Sequence, residues 1–276
     1  MSALLTRRVL AILRYAVMIV LAVCFLLPLI WMISSSLKPE AEVLTIPPEF
    51  VPSTFRWENY SQIFDRVGIF LFNSVKLAIY NVAGVLLVAS LAGYAFARLD
   101  FPGRNIAFTV LLATAIIPSI AYLIPQYLVF RELHWVDTHY PLWVPRVLTP
   151  VFATFLMRQS FLTIPQELED AAKLDGASVF TTYWKVMLPQ TKPALAAIGI
   201  FTFLESWNDL FGPLIFINSE RLQTLPVALA QFQGEYFSEI SLLMAGSAVA
   251  VVPVLIVFAF AQRQFVQGIT MTGLKG

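Results

Sequence analysis

The sequence predicts an all-α, polytopic membrane protein with six transmembrane helices. Three observations predict it. The 276-residue chain is 58% hydrophobic and only 13% charged, against roughly 25% charged residues in a soluble domain, and its mean hydropathy is +0.76. The apolar residues fall in long blocks bounded by single charges, and about 20 such residues cross a bilayer. The Lys and Arg residues are distributed unevenly between alternate connections, as they are in multi-pass proteins. The same composition excludes other classes. A formal net charge of +1 with high hydrophobicity is not that of a disordered chain. Lys+Arg 18 against Asp+Glu 17 leaves no basic surplus for nucleic acid.

The spans follow in order. Arg14 and Lys38 bracket the charge-free stretch that holds the first, about 12–34. Arg7, Arg8 and Arg14 precede it, as in a signal peptide, but its apolar run exceeds the usual roughly 7–15 residues and no small-residue cleavage site follows. It therefore reads as an uncleaved helix. Cys24, the single cysteine, lies inside it and reads as a small hydrophobe. The second span is about 69–97, bounded by Arg98, with Asn73, Lys76 and Asn81 toward its start. The third, 105–130, contains Pro118 and Pro125, both expected to kink it. The fourth, 139–158, is interrupted only by Arg146. The fifth, 193–217, contains Glu205 and Asp209, and the sixth is 240–263.

With the N-terminus inside, the cytoplasmic segments hold Arg7, Arg8, Arg14, Arg98, Arg104, Arg158, Lys173, Lys185, Lys192, Arg263 and Lys275. The outer segments hold only Lys38, Arg56, Arg66, Arg131, Arg146 and Arg221. That bias places both termini in the cytoplasm. The outer connections, 38–66 and 218–239, carry many of the acids, and 38–66 is also rich in Pro and aromatic residues. His134 and His139 have no metal-ligand spacing, and Ser206 has no nearby His base for nucleophilic chemistry.

The long internal connection reads as two short helices over 165–189. Pro165 suits a first helical position, and Glu167, Glu169 and Asp170 lie near that N-terminus. Gly176 can take the left-handed conformation that ends a helix. Leu168, Ala171, Ala172 and Leu174 are expected to pack on one side of the first helix. Val179, Tyr183, Trp184 and Val186 form an apolar stripe on the second, and Leu188-Pro189 is expected to end it. Such a pair is a cytosolic platform with one face on the membrane domain and one free. An amphipathic loop at the lipid interface is the alternative.

The run Asp170-Ala171-Ala172-Lys173-Leu174-Asp175-Gly176-Ala177, followed by Leu188-Pro189, resembles the EAA motif of permease subunits in bacterial ABC importers. Ser206-Trp207-Asn208-Asp209-Leu210 with Pro213-Leu214, and Gln267-Gly268-Ile269-Thr270 to Lys275-Gly276, extend the resemblance over essentially the whole chain. These features are similar to the carbohydrate-uptake branch, in particular the smaller permease of maltose-type importers. The chain departs from the motif at its glutamate, which falls on Asp170. Aspartate keeps the charge with a shorter reach, and Glu169 lies about 100° round the helix.

The resemblance implies a type I ABC importer permease fold with a cytosolic coupling-helix pair. Asp170, Ala171, Ala172, Asp175, Gly176 and Ala177 would couple it to an ATPase. It implies a second permease subunit, two ATPase subunits, an extracytoplasmic solute-binding protein received by 38–66 and 218–239, and a sugar substrate moved across the inner membrane. No GxxxxGK[ST] phosphate loop is present, so ATP and Mg are expected on the partner ATPase and no cofactor in this chain. A permease of the same superfamily carrying a non-sugar solute, such as a glycerol phosphodiester, is the alternative. A stand-alone carrier would be expected to show inverted repeats and internal charge relays, and an enzyme a catalytic constellation.

Glu205, Trp207, Asn208 and Asp209 are the candidates for the substrate path, because charged groups inside a span usually face a bundle interior or an aqueous cavity. Two readings of them stand. They line the path, with Trp offering a face to a sugar ring and the polar groups bonding hydroxyls. Or they are structural, pairing with a basic group of the partner permease or bracketing a helix break before Gly212-Pro213. Gln126, Gln231 and Gln233 are weaker candidates.

Overall fold

A computed structural model describes the backbone of residues 2–235 and 239–273 and the side chains of residues 10–232 and 239–260. Among the described residues every regular element is helical. In chain order these are α1 (Ser2–Ser36), α2 (Glu40–Val43), α3 (Glu58–Arg98), α4 (Arg104–Thr114), α5 (Leu123–Glu132), α6 (Tyr140–Leu148), α7 (Val151–Leu162), α8 (Gln166–Leu174), α9 (Val179–Thr181), α10 (Leu188–Gln190), α11 (Lys192–Trp207), α12 (Phe211–Phe216), α13 (Leu225–Glu235) and α14 (Ile240–Gly273). A π-helical stretch, Thr182–Met187, joins α9 to α10.

Among the described residues three helices are long and apolar enough to cross a membrane: Leu10–Ser36, Glu58–Arg98 and Ile240–Phe260. Two bent pairs bring the number to five if each is one span: Arg104–Thr114 with Ser119–Glu132, bent by 90°, and Tyr140–Leu162 with Gln166–Leu174, bent by 76°. The segment read as the fifth span is in two pieces. Its first piece, α11, has 16 residues, about 24 Å at 1.5 Å per residue, short of a hydrocarbon core of roughly 30 Å.

The prolines account for some of these breaks and not others. Pro118 stands at the sharp bend between α4 and a 3₁₀ turn, Ser119–Tyr122. Pro125, also expected to kink this span, lies in the first turn of α5, where a missing N–H leaves no bond unmade. The connection 38–66 is also more ordered than a loop: α3 begins at Glu58 and runs 41 residues. Residues 218–239 likewise hold a 3₁₀ turn, Glu220–Leu222, and α13.

The chain divides into two compact units. Unit 1 comprises residues 1–68 and 229–252. Ile63, Val67, Leu242 and Ala245 are buried in it. Glu40 places its carboxylate on the start of α14, accepting from Ile240 N at 2.7 Å, Ser241 N at 2.9 Å and Ser241 Oγ at 2.5 Å. A carboxylate there satisfies free amides and the positive end of the helix dipole. Lys38, one of the cations of the outer segments, is fully buried: its ammonium lies 4.2 Å from the Trp31 ring and donates to the Glu49 carbonyl. Residues 10–28 of α1 are all exposed.

Unit 2 comprises residues 69–228 and 253–276. Its main core gathers Val85, Ala89, Tyr94, Met157, Phe161, Tyr183, Met187 and Ile198. A second cluster holds Leu77, Phe130, Leu142, Phe216 and Ile217. Gly93 permits a close helix approach: a Cβ there would stand 2.5 Å from Met157 Cβ and 2.9 Å from the Arg158 nitrogen. Beyond the helix ends, Asp137 stitches two connections together. Its carboxylate accepts from Asn218 N, Ser219 N and Ser219 Oγ at 3.0, 2.7 and 2.5 Å.

Candidate functional site

The helix pair at 165–190 is built by local rules. Pro165, expected at the first helical position, is instead the extended residue just before α8, with φ −57° and ψ 139°. Glu167 and Glu169 lie in the first turn of α8 and Lys173 in its last turn, the arrangement the helix dipole favours. Gly176 has φ +77°. Its N–H donates to Lys173 O at 3.0 Å, and Ala177 N–H donates to Ala172 O at 2.9 Å. Those two bonds form the Schellman closure that only a left-handed residue at this position allows. Ser178 caps the next helix, accepting from Thr181 N at 3.2 Å.

That second helix does not stop at Leu188-Pro189. It continues through α10 to Gln190, because Pro189 falls in the first turn of α10, just after the wider π-helical turns. Tyr183 Oη and Ser90 Oγ are 2.8 Å apart. Burial pushes the Tyr183 phenol above its ordinary range, although the Ser90 bond opposes the shift.

The faces divide differently from the sequence expectation. Ala172 is buried, but Leu168, Ala171 and Leu174 are exposed, Leu174 at 90%. On the second helix Tyr183 and Met187 are buried, whereas Val179, Phe180 and Trp184 are exposed. Asp170, Asp175 and Gly176 are exposed as well, and Ala177 is half-buried. Asp170 has its side chain 59% exposed, 3.8 Å from Lys173. The neighbouring Glu169 points the other way, with its side chain 4% exposed. The pair therefore exposes apolar side chains together with Asp170 and Asp175.

The second constellation lies at two helix breaks. One is Asn208–Leu210, between α11 and α12. The other is Thr149-Pro150, between α6 and α7. Asp209 pairs with Arg146 at 3.4 Å, with side chains 25% and 29% exposed, and accepts from Gly212 N at 3.0 Å. The latter bond supplies one of the free amides at the start of α12. Asp209 thus has a basic partner within its own chain. Glu205 is exposed and lines a cavity of about 170 Å³ with Arg146, Thr149 and Thr202. Asp209 lines another of about 500 Å³ with Tyr122, Gln126, Arg146 and Thr149. Trp207 is 4% exposed, stacks on Phe203 at 5.5 Å and lines neither cavity. Asn208 donates to Leu204 O at 2.9 Å, closing the end of its own helix. Ser206 accepts from Asn81 Nδ2 at 2.8 Å, which ties α11 to α3.

Both constellations lie within residues 84–271, which match the family model of the binding-protein-dependent transport system inner membrane component. The chain belongs to that family. It is a multi-pass membrane protein of the ABC-transporter permease type. Among its relatives is the arabinooligosaccharides transport system permease protein AraQ of Halalkalibacterium halodurans, 37% identical over 90% of this chain and 91% of that one. Another is the lactose transport system permease protein LacG of Rhizobium radiobacter, 32% identical over 97% and 98%. The fold matches the crystal structure of a bacterial ABC transporter involved in the import of the acidic polysaccharide alginate, with a TM-score of 0.79 at 24% identity, over 94% of this chain and 97% of that one.

In this inner membrane component, sequence reasoning missed three residues. In the sequence Arg98 and Arg146 stand out only as topology markers, and Glu169 only as the acid beside Asp170. The available signal was opposite charge in separate apolar segments: Arg146 in the fourth and Asp209 in the fifth. For Arg98 it was the spacing Ser90, Tyr94, Arg98, one polar atom per helical turn on one face of α3. The candidate ending at 267–270 and 275–276 lies outside the residues whose side chains are described, as do Gln233 and Arg263.

Proposed function

We propose that this chain is one half of the membrane pore of an ATP-driven importer. It carries a sugar or oligosaccharide, delivered by an extracytoplasmic binding protein, into the cytoplasm by alternating access. The names of its relatives, which specify arabinooligosaccharides and lactose, support the substrate class. A second permease completes the pore, and two separate ATPase subunits bind ATP and Mg and hydrolyse the nucleotide. The Lys/Arg distribution supports cytoplasmic termini, and the outer connections 38–66 and 218–239 receive the binding protein.

One observation carries the coupling role: the exposed face of the 165–190 segment. Uncovered Leu174, Val179, Phe180 and Trp184, in one short segment with exposed Asp170 and Asp175, have the make-up of a protein-binding surface. Asp170 offers its carboxylate to a basic group of the ATPase. Ala171, Ala172, Gly176 and Ala177 keep the turn compact enough to dock. At the other constellation, Glu205, Asn208 and Asp209 stand at a break that gives the path polar groups, while Trp207 packs behind them.

The test is uptake by the reconstituted transporter. Asp170→Lys reverses a charge on the docking face. Gly176→Pro cannot adopt φ +77° and deletes the N–H that bonds Lys173 O. Both variants are expected to insert normally and to lose ATP-dependent uptake. Near-normal uptake by Asp170→Lys would sink the coupling assignment.

A further inference from the structure

Arg98 ends α3 with its side chain only 6% exposed. Its Nη2 donates to the Phe161 carbonyl at 2.6 Å and to the Ile164 carbonyl, and its Nη1 donates to Gln166 Oε1. The same guanidinium lies 3.8 Å from Glu169. Glu169 Oε1 accepts from Tyr94 Oη at 3.4 Å and stands 3.4 Å from Lys173. Arg98 Nε and Glu169 Oε2 are nevertheless buried without a hydrogen bond.

A buried ion pair that leaves polar atoms unsatisfied contributes little net stability, because desolvation offsets the attraction. What it supplies here is geometry. One guanidinium grips the carbonyl end of α7, the entry to α8 and the inner face of α8. One turn back, Tyr94 holds the same carboxylate, and one turn further Ser90 bonds Tyr183 of the second helix. A single face of α3 is thus bonded to both helices of the 165–190 segment. At Asn81, 17 residues up α3 from Arg98 and so about 25 Å away at 1.5 Å per residue, the same helix bonds Ser206, two residues before the break at Asn208.

We propose that Arg98 and Glu169 are positioning residues that lock the cytosolic helix pair to α3. Displacement of the pair is then carried along α3 to Asn81 and the broken helix at 208–210. Glu169 is buried inside the chain, so it serves this role without touching the ATPase. The inference rests on the importer reading above.

The test uses the complete transporter in proteoliposomes with its binding protein, and reads solute moved per ATP hydrolysed. Glu169→Gln keeps the acceptor for Tyr94 and removes the charge. Arg98→Lys keeps the charge and removes the fork. Both are expected to assemble with the ATPase and continue to hydrolyse ATP, while solute per ATP falls about tenfold, the order of magnitude of a typical coupling between two binding sites. Glu169→Asp, which restores charge with shorter reach, is expected to recover part of the loss.

An unchanged ratio in either Glu169→Gln or Arg98→Lys overturns the inference. So does failure of all three variants to assemble, which assigns the pair to folding alone. Asp170→Lys, assayed in parallel, separates the two levels. If it transports with normal coupling, the importer-coupling reading fails. If it is inactive while Glu169→Gln stays fully coupled, only the positioning role fails.

Discussion

Alanine at Gly93 tests whether the approach of α3 to α7 is as close as described. The new Cβ would stand 2.5 Å from Met157 Cβ and 2.9 Å from the Arg158 backbone nitrogen. Carbon pairs are most stable near 3.5–4.0 Å, so α3 and α7 must separate by roughly 1 Å. Met157 is fully buried, and a backbone atom has no rotamer into which it can retreat. Overpacking of this kind costs about 1–3 kcal/mol, against which the better helix propensity of alanine returns up to about 1 kcal/mol. Gly199 is the internal control. Its nearest atoms, Leu86 Cδ1 and Val82 Cγ1, would lie 3.8 and 3.9 Å from the Cβ, an ordinary contact, so Gly199→Ala keeps only the propensity gain. The two variants should therefore differ by about 2 kcal/mol, with wild type between them. Thermal stability of the detergent-solubilised complex, followed by size exclusion after heating, gives the order. A midpoint for Gly93→Ala equal to or above that of Gly199→Ala refutes the packing argument.

Two further outcomes follow from the charged groups. The hydrogen bonds from Ser219 and Asn218 hold the Asp137 carboxyl below its ordinary range. Since the folded form binds this proton more weakly than the unfolded chain, the clasp between 133–139 and 217–224 is fully formed above the ordinary carboxylate pKa and loosens as pH falls through the lowered one. Hydrogen-exchange protection of the Ser219 amide should fall on acidification in wild type and be low at all pH values in Asp137→Ala; equal protection in the two proteins at neutral pH would disprove the clasp. At the helix break, Asp209→Ala strands Arg146 and the Gly212 N–H together; both are only half-buried, so the loss falls toward the lower end of the about 1–3 kcal/mol that a fully buried group without its partner costs. Asp209→Asn keeps an acceptor for Gly212 and should cost less in the same thermal assay, so equal midpoints for the two variants would contradict the capping role.

Much of this architecture is legible in the chain because the physics behind it is local or compositional. Charge-free runs predict helices wherever the backbone stays continuous, and residues 12–34 and 240–263 are helical within the longer α1 and α14. The turn at Gly176 is legible because only glycine closes a helix in that way at low cost. The breaks at Thr149-Pro150 and Asn208–Leu210 are harder to read. Hydropathy averages over a segment and is blind to where a helix stops and restarts inside it. The partners of buried charges are harder still. Glu169 and Asp170 are adjacent carboxylates, one turned to Arg98 and one to the surface, and what separates them is a residue 71 positions earlier. The helical face that divides them is legible only once α3 is known to lie beneath α8.

The first helix has a different kind of constraint from the rest. Residues 10–28 are all exposed, so no neighbour among the described residues selects their shapes. What this stretch must satisfy is its solvent, and exchange of one apolar side chain for another should leave the fold of the chain untouched. Met157 or Phe161, both fully enclosed, have no such latitude. Substitution tolerance should therefore change along this one polypeptide from a rule about polarity to a rule about volume. Any stricter preference found at a position in 10–28 would mark the imprint of another molecule on that helix.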